Sequence, residues 1–149
     1  MKLPGIPTLV LATFMSGLLG FLSASTQTWR DIEATGGIEV MQPVVRDGRL
    51  MLPVNYDVSG LRWITCKPTT MNSGQGVWGV RARARGQAIW VTVLVCLHAP
   101  EYPAGGIHYA KLSGVSPGKY TVYYGELGDR GHPIGSVVIA ESEAHGHSS

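Results

Sequence analysis

The stretch spanning residues 77–97 constrains the fold more than any other part of the chain. Gly86-Gln87 divides it into two arms. Glycine first in a two-residue connection suits a type II′ hairpin turn, whose twist matches that of the flanking strands. Counting outward pairs Arg85 with Ala88, Arg83 with Trp90 and Arg81 with Thr92 on one face. The other face then carries Ala84 with Ile89, Ala82 with Val91, Val80 with Val93 and Trp78 with Val95. An apolar face backed by an arginine-bearing face is the alternation of an antiparallel sheet with one solvated side.

The same period of two recurs elsewhere. Leu50, Leu52, Val54, Tyr56 and Val58 alternate with Arg49, Met51, Pro53, Asn55 and Asp57, which predicts a strand with one buried face. Pro53 places that strand at a sheet edge or a bulge. Arg46-Asp47-Gly48-Arg49 is a hairpin turn joining it to a strand over residues 39–45. Ser59-Gly60 turns the chain before residues 61–66, and residues 68–76 read as a loop. Further strands are expected near residues 107–112, 119–125 and 134–140. With 20 glycines and nine prolines punctuating the chain and no sustained helical periodicity, the pattern predicts an all-β domain. The expected architecture is a single antiparallel β-sandwich of about seven to eight strands over residues 38–140. A chain of 149 residues argues for one core rather than two. Residues 26–37 read as a leader docked through Trp29 and Ile32, and residues 141–149 as a disordered tail.

One corner carries a family resemblance. Leu112-Ser113-Gly114-Val115-Ser116-Pro117-Gly118-Lys119-Tyr120 resembles the strand–corner–strand of fibronectin type III and other immunoglobulin-like or prealbumin-like sandwiches. The resemblance implies a tyrosine corner, with the Tyr120 hydroxyl tied to upstream backbone. It transfers no active site.

The first residues bear on location. Met1-Lys2 precedes an apolar run over residues 6–22, and no acidic residue occurs before Asp31. A positive start, an apolar stretch and small residues at Ser23-Ala24-Ser25 describe a secretory signal peptide over residues 1–25. An uncleaved anchor is the competing reading. Export predicts a secreted or periplasmic domain, and favours a disulfide between Cys66 and Cys96, the only two cysteines. Free thiols or thiolate metal ligands are the alternatives.

Three constellations bear on chemistry. Arg81, Arg83 and Arg85 form a stripe beside Trp90, and no acidic residue lies between Asp57 and Glu101. Guanidinium groups spaced in this way suit a carboxylate or phosphate, and Trp90 offers a stacking surface or a cation–π contact with Arg83. The same stripe also suits a simply solvated face. His98, His108, His132 and the tail pair His145 and His147 are candidate metal ligands, but without zinc-site spacing. Asp57, His98 and a loop serine share no catalytic motif, and no nucleophile elbow or phosphate-cradling loop is present.

The chain therefore reads as an exported, non-catalytic binding or structural module of the cell envelope or extracellular space, with no cofactor. An envelope protein or an anionic envelope component is the expected partner, and a membrane only if the leader is retained. A formal charge of +2 argues against nucleic acid. A metal-binding protein using the histidines is the alternative, and a small hydrolytic enzyme the next.

Overall fold

A computed structural model of the chain describes residues 24–97 and 100–144. The expected signal-peptide run, apart from Ala24 and Ser25, lies outside them, as do His98, His145 and His147. The elements in chain order are β1 (Ser25–Thr26), α1 (Trp29–Ala34), β2 (Ile38–Val40), β3 (Val44–Arg46), β4 (Arg49–Asp57), β5 (Gln75–Arg85), β6 (Ala88–Leu97), β7 (Gly105–Lys111), β8 (Gly118–Tyr124), β9 (His132–Ile139) and α2 (Glu141–Ala144). The fold is all-β and sandwich-like.

The β5–β6 hairpin has the register that its turn dictates. Arg85 faces Ala88, Arg83 faces Trp90 and Arg81 faces Thr92. Gly86 supplies the turn with a φ of 59°, which a side chain at this position would resist. The pairing departs from the expected one at a bulge between Val77 and Gly79, so that Val77 rather than Trp78 lies opposite Val95. Val77 is buried and Trp78 exposed. The three-residue step from Val77 to Val80 cannot keep both side chains on the core face of a regular strand, and the bulge absorbs the odd residue.

In one sheet β4 is central, with β7 on one side and β2 and β3 sharing the other. Pro53 is therefore in an inner strand, not at an edge. Its carbonyl accepts the Met41 N–H at 2.9 Å. Its missing N–H thus falls on the same side, where the ladder to β2 ends and that to β3 has not begun, and costs no regular ladder bond.

In the other sheet β6 pairs with β5 along one side and with β8 and β1 on the other. The β6–β8 pair is parallel, so the sheet is mixed rather than purely antiparallel. β7 lies in the opposite sheet between them in sequence, and that crossing sets the parallel direction. β8 pairs with residues 88–91 and β1 with residues 94–95. At the seam the Tyr124 hydroxyl accepts the Val93 N–H at 3.3 Å and donates to the Gln27 carbonyl at 2.6 Å. It stands in for one bond of the ladder that Gln27 N–H to Val93 O begins.

The core between the sheets is formed by Leu50, Leu52, Val54, Tyr56 and Val58 of the β4 stretch, Ile89, Val91, Val93 and Val95 of β6, and Tyr120, Val122, Val137 and Ile139. Each large aliphatic side chain buried in this way contributes about 1.5–3 kcal/mol. The Tyr120 hydroxyl accepts the Ser116 N–H at 3.0 Å and donates to the Ser116 carbonyl at 2.8 Å, closing the corner before β8.

The segment before β2 contains α1, which starts at a capping box: the Thr28 side chain accepts the Asp31 N–H and the Asp31 side chain accepts the Thr28 N–H. Ile32 is fully buried beneath it. The C-terminal end of α1 holds the long 58–74 loop. The Gly36 carbonyl accepts the N–H groups of Ile64, Thr65 and Cys66, and the Ala34 carbonyl those of Thr69 and Thr70.

That attachment corrects the expected disulfide. Cys66 and Cys96 are free thiols and not close to one another. The Cys66 thiol donates to the Glu33 carbonyl of α1 at 3.2 Å. Cys96 is buried and its thiol faces the Gly76 carbonyl across the β5–β6 ladder at 3.9 Å. An even cysteine count carries no information about which element a loop is fastened to. Among the described residues, no helix is long and apolar enough to cross a membrane.

Candidate functional site

The outer face of β5 and β6 brings the sequence-selected residues together. Arg81, Arg83 and Arg85 are exposed and point away from the core, as the alternation with half-buried Ala82 and Ala84 requires. Side chains two residues apart along a strand are separated by about 7 Å. None of the three guanidinium groups has a hydrogen bond or ion pair among the described residues. Glu126 and Leu127 line a small recess with Arg81, Arg83, Trp90 and Thr92. The face thus carries negative charge at one end and free positive charge toward the Gly86 turn.

Trp90 is placed beside Arg83 but is engaged differently from the expectation. Its ring stacks on Tyr123 of β8, with centroids 5.7 Å apart and planes at 25°. The parallel β6–β8 register places these two residues opposite each other. The cation–π contact among the described residues is instead Arg46 over Tyr109, 4.1 Å from the ring centroid, on the other sheet. The Trp90 indole N–H is buried without a hydrogen-bond partner. It lies under Gly131, where an added Cβ would come within 3.2 Å of it and within 2.7 Å of the Tyr123 Cβ.

A neighbouring groove of about 380 Å³ opens along Thr92, Gly125 and Glu126. Its floor is aromatic. Trp29 stacks on His132 with centroids 4.6 Å apart and planes at 8°, and tilts against Tyr124 at 5.9 Å. Glu126, Asp129 and Arg130 supply its polar rim. Sequence reasoning missed this groove. Trp29 reaches it because the chain just before α1 is bonded to β6 through Gln27 N–H to the Val93 carbonyl, and the Thr28-x-x-Asp31 spacing is the local sequence signal for the helix that carries it.

Beneath it lies a buried polar network. The Tyr56 hydroxyl contacts the Thr35 hydroxyl at 3.1 Å and donates to Gln27 Oε1 at 3.3 Å. Burial pushes Tyr56 up to about 12 and raises Tyr124 as well, since both phenolates would lose their hydration.

The remaining candidates stay apart. His108 lies on β7 opposite Val54, and burial lowers its pKa. His132 is in the aromatic stack. Among the described residues, no three His, Cys, Asp or Glu side chains are grouped so as to hold a metal ion. Asp57 is buried and accepts the Ser59 N–H at 2.9 Å and the Ser59 hydroxyl, which makes it a turn former.

Neither protein-family models, nor curated proteins, nor solved structures give a match to this chain. The functional reading therefore rests on the geometry of this face.

Proposed function

We propose that this chain is an exported, non-catalytic binding module of the cell envelope or extracellular space, of immunoglobulin-like or prealbumin-like architecture, that recognises an anionic partner through Arg81, Arg83 and Arg85. The observation that carries this reading is the row of three exposed guanidinium groups, held in one register and unpaired. Guanidinium groups bind carboxylate or phosphate in a forked geometry that ammonium groups cannot reproduce. The Trp90–Tyr123 stack ties β6, the strand paired with the arginine-bearing β5, to β8. Glu126, which shares a recess with Arg81 and Arg83, sets the polarity of the row and favours an anion that extends toward Arg85 and the Gly86 turn. The apolar N-terminal run supports export.

The test is binding to two defined polyanions, polyphosphate and polygalacturonate, by the wild type, Arg83→Glu and Arg83→Lys. Arg83→Glu is expected to weaken binding several-fold, with the loss shrinking at high salt. Its stability should stay within about 0.5 kcal/mol of wild type because the side chain is exposed. Arg83→Lys should recover only part of the affinity. Unchanged affinity in Arg83→Glu would leave the stripe a solvated face.

A further inference from the structure

The 58–74 loop exposes three large apolar side chains: Leu61 at 75%, Trp63 at 69% and Met71 at 75%. Such groups on a floppy loop would fold back on themselves or on the nearby sheet. Here the backbone prevents it. Residues 64–66 and 69–70 are fastened to the end of α1. The Asn72 N–H donates to the Ser59 carbonyl at 2.7 Å and the Asn72 side chain to the Val58 carbonyl at 3.1 Å. Gly60, at a φ of 74°, lies so close to the Thr70 carbonyl that a Cβ would collide with it. Leu61 and Met71 therefore rise from adjacent stretches of one fixed loop, with Trp63 two residues from Leu61.

Along the loop itself the charge has one sign, while Asp31 and Glu33 are exposed on α1, to which it is fastened, and Asp31 shares a groove with Thr70 and Asn72. Arg62 and Lys67 are exposed in the same loop, and no acidic residue occurs between Asp57 and Glu101. The loop leads into the Gln75 end of β5, ten residues from Arg85, so it is at the opposite end of the strand from the arginine stripe.

We propose that this loop docks the domain on an anionic lipid surface. Leu61, Trp63 and Met71 enter the headgroup–acyl boundary, and Arg62 and Lys67 contact the headgroups. Tryptophan favours that boundary, where its ring is desolvated and its N–H stays hydrated. Side chains about three-quarters exposed stand out from the surface rather than line a recess, which suits insertion better than reception of a partner's side chain. A basic residue close to an anionic membrane strengthens binding about five-fold. Ordering costs little because the backbone is already fixed. The proposal does not depend on the arginine stripe.

The experiment uses the full chain with vesicles of phosphatidylcholine carrying brominated acyl chains, with and without phosphatidylglycerol. Quenching present in wild type and lost in Trp63→Phe is the Trp63 contribution, which separates the loop from any attachment by the N-terminal apolar run. Trp63 is expected to be quenched in the anionic vesicles and much less in the zwitterionic ones. Arg62→Gln with Lys67→Gln should reduce that quenching about ten-fold or more in partitioning, and Arg83→Glu should leave it intact. Absence of Trp63 quenching from both vesicles would overturn the proposal. So would equal quenching in both that the double variant leaves unchanged. Shielding of Trp63 by an added envelope protein, without lipid quenching, would overturn it in favour of a protein partner.

Discussion

Replacing Tyr124 with phenylalanine removes one oxygen from the point where β8 gives way to β1 along β6. That hydroxyl accepts the Val93 N–H and donates to the Gln27 carbonyl. Both tyrosine and Gln27 are buried, so water cannot replace it readily. Each buried backbone group left without a partner costs about 1–3 kcal/mol. The two groups together, allowing for some closing of the gap, give a loss of about 2–4 kcal/mol. For a domain of this size about 4 °C accompanies each kcal/mol, so the melting temperature should fall by about 8–16 °C. Urea unfolding followed by circular dichroism measures the loss directly. A second readout uses alkali. The folded state holds the Tyr124 proton above the unfolded value of 10.0, so wild-type stability falls as pH rises past that value. Tyr124→Phe should show a shallower alkaline loss, with Tyr56 still contributing up to about 12. A Tyr124→Phe protein within about 0.5 kcal/mol of wild type would refute the bridging role.

Two other outcomes follow from buried groups, and one concerns the arginine face. Burial lowers the His108 pKa from 6.5, so the unfolded chain takes up a proton that the folded chain refuses, and stability is lost as pH falls below that value. His108→Gln should flatten the change in urea midpoint between about pH 7 and pH 5; an unchanged slope would assign it to other groups. Unreduced protein should react with two maleimides per chain after denaturation, the half-buried Cys66 labelling first and the buried Cys96 only on unfolding. Fewer than two would mean that a disulfide forms. Arg83→Glu should lose polyanion affinity without loss of stability, whereas Ala82→Glu, on the inward face of the same strand, should cost several kcal/mol.

The parts of the fold that were legible in the sequence are those set by neighbours along the chain. The Gly86 turn fixed the pairing of Arg81, Arg83 and Arg85, and the alternation of Leu50 to Val58 marked a buried strand face, since both depend on a period of two. The Tyr120 corner was legible because its bond partner, Ser116, is four residues away. What was not legible depends on which edges meet. The parallel β6–β8 pair, the Trp90–Tyr123 stack and the Tyr124 bridge arise only once β8 is laid beside β6. The six residues of α1 are under two turns, too few to show a helical period, and the segment reads from sequence only as a leader. Pro53 misled because its cost depends on what faces its nitrogen, and here the neighbouring ladder is interrupted.

The most direct test of the arginine face is a polyphosphate titration followed by nuclear magnetic resonance of the arginine side-chain N–H groups and the tryptophan indoles. The account predicts saturable shifts at Arg81, Arg83 and Arg85, a smaller shift at the Trp90 indole, which Gly131 covers, and none at Arg46 or Arg49 on the opposite sheet. Shifts centred on Arg62 and Trp63, or spread evenly over every arginine, would contradict it.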